Sequence, residues 1–535
     1  MLLIGITTGN LSDSKHNNPE IVEKFYGILQ SNFNLEVKES LLISLAIGIV
    51  LFLTKGVLQV FINKKLLITL SYIQTKYSDR LFKNFMKAPY DKLVQINSKE
   101  LSLAILEGSS AKYSNIVIQS IFILSDTILV FVLVIALIIY NTIISFVLIV
   151  FFVISIFFSM KYLRGQILKH NIMLLNARIS IRQEIDTAKH LIKHIKVNQS
   201  ERNVDTKIYQ DLLKHSKSQA LDISIQQVPK ILLDATVIFG IAILSVVVGI
   251  TGEKINMLEF ISFYLLSAFR IAPSLLRLQS AILSIVASQP FAEKINEYES
   301  YFKFTQDWVS KNSVSQLPRH KFESLKIQNL NYSYTSNPSH KVLSNFNLEL
   351  SAKEKLMIVG ASGTGKTTLL NLILGLLEPN SGDVFINGIS ASEWISNNPG
   401  EIAYLAQENL LFSGSLAENI VYGHRSENVS EERIEEVLNL SKVFDFISKK
   451  QPYTQIKVEE GGANFSAGQK QRICLARALM SQPSFLIIDE STNSLDVNLE
   501  KSLLNDLFHA RPNLTILMIS HRPESTYLFD RKIEL

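Results

Sequence analysis

Cysteine is almost missing from this 535-residue chain: Cys474 stands alone, which excludes an internal disulfide framework and a cysteine-rich metal site, and is compatible with a reducing compartment. Charge is sparse too. Asp, Glu, Lys and Arg make up 19% of the residues, below the roughly 25% of ordinary globular chains, and the net charge is only +5. No groove-reading or base-stacking motif accompanies the basic residues, so nucleic acid is not an expected partner. Met1–Thr8 is a short apolar patch with neither a basic leader nor a cleavage-like site. No cleavable signal peptide is expected, and membrane insertion should come from internal spans.

The apolar residues are concentrated in roughly the first 290 positions, and mean hydropathy over the chain is +0.20. This pattern predicts a membrane half joined to a soluble half. Five stretches, Leu41–Phe61, Ile116–Tyr140, Thr142–Met160, Ile231–Ile250 and Met257–Ile282, are long and apolar enough to cross a hydrocarbon core of about 30 Å. Little more than Tyr140 and Asn141 joins the second and third, which predicts a tight hairpin at one face of the bilayer.

Lysine and arginine set the orientation. Eight lie between Lys64 and Lys99 and eight between Lys161 and Lys196, whereas the Tyr140 turn has none and the loop before Met257 has only Lys254. Both basic segments are therefore expected in the cytoplasm. Apolar residues recur in them at helical spacing, as at Leu191, Ile192, Ile195 and Val197, and glycine and proline are nearly absent. Each segment should continue its spans as a long helical hairpin whose tip can touch a soluble domain. This topology places residues 9–40 outside, yet Met1–Thr8 is too short to bring them there. A first span lost from the start is the expectation.

Beyond the polar stretch 301–322, which contains Pro318 and reads as a linker, short β-rich runs alternate with helical ones through 323–535, the pattern of an α/β nucleotide-binding fold. Its strongest motif is Gly360-Ala361-Ser362-Gly363-Thr364-Gly365-Lys366-Thr367-Thr368, between a strand-like run at Lys355–Val359 and a helix-like run at Leu369–Leu377. Glycines let the backbone curl so that its N–H groups meet phosphate oxygens, with help from the helix N-terminus. Lys366 would neutralise the outer phosphates and the Thr367 hydroxyl would hold Mg²⁺. A second apolar run, Ser484–Ile488, ends in Asp489 and Glu490. One carboxylate there can reach the Mg²⁺ shell, and its neighbour can orient and deprotonate a water.

With these residues the chain resembles the ATP-binding-cassette (ABC) family, and Phe465-Ser466-Ala467-Gly468-Gln469, followed by Lys470-Gln471-Arg472, separates it from other phosphate-loop proteins. The resemblance implies that this signature closes over the γ-phosphate of ATP held by a second subunit. Ser466 suits a helix N-cap, and the amides after it form an anion site. By the same resemblance Tyr334 stacks on adenine, Gln407 links Mg²⁺ to the membrane domain, Asp496 belongs to the loop after the acidic pair, His521 supports the γ-phosphate, and Glu460 feels the intracellular loops. Phe465 and Ala467 stand where the family has leucine and glycine; hydrolysis should persist, more slowly. The chain also stops at Leu535, soon after His521, where family members continue, so truncation is expected at both termini.

The arrangement of spans and loops is similar to the exporter branch: a membrane all-α domain over 1–300 followed by an α/β P-loop domain with a helical subdomain. The run Arg270-Ile-Ala-Pro-Ser-Leu-Leu-Arg277 and the stretch Ala88-Pro-Tyr-Asp91 resemble the lipid-linked oligosaccharide flippases most. That resemblance implies an ATP- and Mg²⁺-dependent half-transporter in the cell inner membrane, paired with a second copy or a similar half, and in contact with lipids. Arg270, Arg277 and Lys230 are candidates to attract an anionic headgroup; the alternative is an ion pair with Asp126 or Asp234, or snorkelling of Arg277 and Lys230. A peptide or drug exporter and a non-hydrolysing ATP-gated channel or scaffold remain the competing readings.

Overall fold

A computed structural model of the chain describes residues 37–140, 142–251, 257–311, 320–334, 338–361, 363–424, 429–447, 451–489, 497–520 and 523–535. The chain divides into two compact units, one of residues 1–87 and 96–305, the other of residues 88–95 and 306–535. The outside segment expected before residue 37 and the start of the chain lie outside the described residues.

In the first unit, helix α1 (Val37–Met86) runs for 50 residues. Val50, Leu51, Phe52, Val57, Leu58 and Phe61 are all exposed along it, an apolar surface on every face that suits lipid rather than water. The short helix α2 (Tyr90–Leu93), started by Pro89, belongs to the other unit. Helix α3 (Ser98–Leu103) begins under a cap from Asn97, whose side chain accepts from the Lys99 amide at 3.0 Å. The helix then widens into π-helical turns over Ala104–Gly108 and Ser110–Ile116 before α4 (Val117–Tyr140) resumes the ordinary pitch.

Helices α5 (Thr142–His190), α7 (Glu201–Thr251) and α8 (Met257–Lys311) contain 49, 51 and 55 residues. At 1.5 Å per residue they are roughly 70–85 Å long, more than twice a bilayer core. The expected hairpin is present: α5 and α7 run together, joined by α6 (Ile192–Val197) and pinned by Ser180 donating to Asp211 at 2.6 Å and Asn171 donating to Asp222 at 2.8 Å. At its tip Ile195 is buried while Leu191, Ile192 and Val197 are exposed.

Among the described residues, four stretches are long and apolar enough to cross a membrane: Ala46–Met86, Ser98–Ile135, Glu201–Ala242 and Ile271–Phe302. They overlap four of the five expected spans. Thr142–Met160 is helical within α5, but many of its side chains, and Asn141, lie outside the described residues. A further difference concerns the stretch read as a linker, because residues 301–311 continue α8. Its polar composition conceals Phe302, which is fully buried against Tyr298 and Phe85 with ring centroids 6.1 and 6.2 Å away.

The second unit is α/β. Strands β1 (Ser324–Tyr332), β2 (Leu343–Ser351), β3 (Lys355–Val359), β4 (Ser381–Ile386), β5 (Ile389–Ser390), β6 (Ile402–Leu405), β7 (Gly414–Ser415), β8 (Lys457–Val458), β9 (Phe485–Asp489), β10 (Thr515–Ile519) and β11 (Arg531–Glu534) form three sheets among the described residues. An antiparallel sheet has the order β2-β1-β4-β5, a parallel one the order β11-β3-β10-β9-β6, and β7 pairs with β8.

Both faces of the parallel sheet are covered, which is why its strands read as unbroken apolar runs. Leu356, Ile358, Phe485, Ile487, Leu517 and Ile519 pack into the core shared with the antiparallel sheet and α9 (Lys366–Ile373). Met357, Leu486, Ile488, Ile516 and Met518, the alternate residues, pack toward α11 (Leu416–Val421), α12 (Glu431–Leu440), α13 (Ala467–Leu479) and α14 (Val497–Ala510). Helix α10 (Ala391–Asn397) buries Trp394 in the first of these cores.

Candidate nucleotide-binding site

The parallel sheet sets three chain ends side by side. Ile519 on β10 is in register with Ile358 on β3 and with Asp489 on β9. One strand therefore separates the start of the glycine loop from Asp489, a backbone spacing of roughly 10 Å across two strand intervals.

After Val359 the loop turns through left-handed backbone at Gly363 (φ 87°) and Gly365 (φ 93°), conformations that cost a side-chain-bearing residue. A Cβ on Gly365 would also lie 2.8 Å from a methyl carbon of Val342. Gly365 caps α9, so the first amides of this helix face the loop. The helix stops at Ile373 rather than at Leu377, because Gly375 (φ 62°) closes a Schellman turn: the Leu376 amide donates to Asn371 O at 2.8 Å and the Gly375 amide to Leu372 O at 3.1 Å.

Lys366 is buried, and its ammonium donates to Gly360 O and Ala361 O, both at 2.8 Å, so the positive charge is folded over the loop. Thr364 Oγ1 donates to Ala361 O at 3.0 Å. The Thr367 side chain is exposed, whereas Thr368 is buried and its hydroxyl meets the Tyr334 phenol at 2.9 Å. Tyr334 is itself exposed and rests edge-on against Tyr332, 5.1 Å between centroids, which leaves a ring face available beside the loop.

Asp489, 2% exposed, accepts from the Tyr404 phenol at 2.9 Å. Burial first, and then the Asp489 carboxylate, push that phenol far above its ordinary pKa; Tyr90 of α2 adds a smaller push of the same sign. Tyr404 was not among the residues singled out from the sequence. A tyrosine in the run Ile402–Leu405 reads only as a strand former. Gln407 follows on the exposed loop after β6.

The signature segment is built around the start of α13. Ser466 is its N-cap in a complete capping box: Ser466 Oγ accepts from the Gln469 amide at 3.3 Å, and Gln469 Oε1 accepts from the Ser466 amide at 2.8 Å. Ala467 and Gly468 form the first turn. Phe465 packs edge-on against Phe446, 6.0 Å between centroids, at the margin of the helical core, and Phe446 carries the Arg472 guanidinium on its ring at 4.5 Å. The larger ring is thus accommodated where the family has leucine. Glu460 lies in the preceding turn with Gly461 (φ 60°), whose carbonyl accepts from Lys470 Nζ at 2.7 Å.

Ser362, Glu490, Asp496 and His521 lie outside the described residues. In the helical unit, Arg277 is tied to Asp126, Nη2 to Oδ1 at 2.7 Å and Nε to Oδ2 at 2.9 Å. Headgroup attraction, an ion pair and snorkelling are the expectations for this arginine, and an ion pair with Asp126 is present. Lys230 is exposed, and the side chain of Arg270 lies outside the described residues.

The donor set fits a polyphosphate with a divalent cation: helix N-terminal amides and an ammonium for phosphate oxygens, a hydroxyl at Thr367 and a carboxylate at Asp489 for the cation. Comparison with known proteins agrees. Residues 343–493 match the ABC transporter family model. A putative export ATP-binding/permease protein of Rickettsia bellii is 31% identical over 299 residues, 55% of this chain and 49% of that protein. The lactococcin-A transport/processing ATP-binding protein LcnC of Lactococcus lactis is 30% identical over 309 residues, 57% of this chain and 41% of that protein. The chain thus spans about half the length or less of these curated relatives. A solved bacterial Atm1-family ABC exporter with ATP bound superimposes with a TM-score of 0.75 at 17% identity, over 95% of this chain and 89% of that one.

Proposed function

This chain carries an ABC transporter domain behind a helical membrane-type domain, the half-transporter architecture of exporters, and on that premise we propose that it hydrolyses ATP to export or flip an amphipathic, lipid-linked substrate across the cell inner membrane. The observation that carries the ATPase part is the register that sets the glycine loop and Asp489 one strand apart. Two copies, or this chain and a similar half, face each other so that the Ser466 end of α13 in each completes the phosphate loop of its mate.

In this reading the α9 amides and Lys366 bind the phosphates, Tyr334 offers its ring to the adenine, and Glu490 orients and deprotonates the attacking water with His521 in support. Thr367, Gln407 and Asp489 would hold Mg²⁺, which would supply positive charge against the phosphate oxygens. Closure of the two ATPase domains moves the intracellular helices and switches the membrane cavity from inward to outward exposure. Release of phosphate from ATP by the purified protein tests the enzyme: Lys366→Ala and Glu490→Gln should each abolish it, and full activity in Glu490→Gln would refute the assignment.

For the cargo, Arg270 and Lys230 remain as cations for an anionic headgroup, while Arg277 acts through its pair with Asp126. An anionic lipid should stimulate the wild-type ATPase more than a neutral one, and Arg270→Ala should lose that preference; an unchanged preference would remove the headgroup assignment. The name of the lactococcin-A relative favours a peptide cargo as the second reading, in which a peptide stimulates the ATPase and lipids do not.

A further inference from the structure

Asp489 is nearly inaccessible, so bulk water does not fix the rotation of its carboxylate. The phenol of Tyr404 holds one of its oxygens, donating to Oδ2 at 2.9 Å. Tyr404 pairs with Ile487, two residues before Asp489, on the neighbouring parallel strand. From that register the diagonal to Asp489 is roughly 8 Å, a distance a phenol spans and the aliphatic side chains typical of a buried strand do not. A hydrogen bond to an ionised acceptor is of the strong class.

We propose that Tyr404 is a positioning residue for the divalent cation: by holding Oδ2 of Asp489 it arrests the carboxylate in the orientation that meets the metal of the bound nucleotide. The inference rests on the ATP-site reading above and extends it to a side chain outside the set assigned to the nucleotide and the metal. It predicts that the hydroxyl of Tyr404 contributes to metal affinity and not to nucleotide affinity, a separation that a packing role would not produce.

The test uses Mn²⁺ as a paramagnetic probe on the full-length protein in lipid nanodiscs. Free Mn²⁺ is titrated by electron paramagnetic resonance in the presence of ATP, and ATP affinity is measured separately in EDTA. Tyr404→Phe removes one oxygen and keeps the ring; Tyr404→Leu removes the ring as well. Both should weaken Mn²⁺ binding to the protein–ATP complex about three- to tenfold, the scale of one hydrogen bond to a charged group, with metal-free ATP affinity unchanged. Wild-type Mn²⁺ affinity in both variants overturns the proposal, as does an equal loss of metal-free ATP affinity. A wild-type protein that binds no Mn²⁺ with ATP would instead refute the ATP site itself.

Discussion

Arg277 and Asp126, 151 residues apart in sequence, form a two-pronged ion pair in the helical unit, and the two sides of that pair are unequally buried: the arginine side chain is 56% exposed and the aspartate 10%. Ser274, one turn before Arg277, adds a contact at 3.1 Å. A charge in an apolar span demands such a partner.

The unequal burial predicts unequal costs. Arg277→Leu strands a buried carboxylate and should lose about 3 kcal/mol, whereas Asp126→Asn strands a guanidinium that can reach polar surroundings and should lose about 1 kcal/mol. Asp126→Leu combined with Arg277→Leu should recover most of the larger loss. Thermal unfolding of the detergent-solubilised protein measures all three, and equal losses in the single variants would contradict the asymmetry.

Gly108 lets α8 approach the π-helical turns. A Cβ there would lie 2.8 Å from Phe291 O and 3.2 Å from the Ile295 Cβ, and neither partner is the end of a flexible side chain. Gly108→Ala should therefore destabilise the helical unit by about 1–3 kcal/mol, the usual cost of overpacking. The same unfolding measurement checks it.

Two loop glycines separate backbone strain from collision. Gly363→Ala meets nothing within 4 Å and carries only the cost of left-handed backbone, about 1–2 kcal/mol. Gly365→Ala has the same strain and strikes Val342 at 2.8 Å. ATP affinity, measured with a fluorescent analogue, should fall more in Gly365→Ala than in Gly363→Ala.

Glu436 supplies a pH dependence. Burial pushes its carboxyl up, but Arg433 and Arg511 outweigh that and hold it below the usual carboxylate range. A depressed folded-state value contributes stability that is complete above the unfolded value of about 4.3 and is lost as pH falls through the folded one. The stability margin of the wild type over Glu436→Gln should be full at pH 6 and shrink below about pH 4.3.

Much of this architecture was legible because it depends on local chemistry. Lys355–Val359 and Ser484–Ile488 announce buried parallel strands by unbroken apolar runs, and the glycines between 360 and 365 announce the loop by the backbone they permit. What escaped depends on partners distant in sequence. Gly108 in the π-helical turns meets Phe291 of α8, the helix through residues 301–311 continues a packed stretch whose anchor, Phe302, meets Phe85, and Tyr404 matters through Asp489, 85 residues away. Helix α9 ends at Ile373, four residues short of Leu377, because the glycine that stops it, Gly375, sits inside a leucine-rich run that continues to Leu377.

The central claim is that each ATP site is shared between two copies, Lys366 from one and Ser466 from the other. Lys366→Ala and Ser466→Arg should each abolish hydrolysis when expressed alone. Co-assembled in one membrane, the two variants form mixed dimers in which one site has both residues intact, and Mg²⁺-dependent phosphate release should reappear. A mixture as inactive as either parent would contradict the shared site.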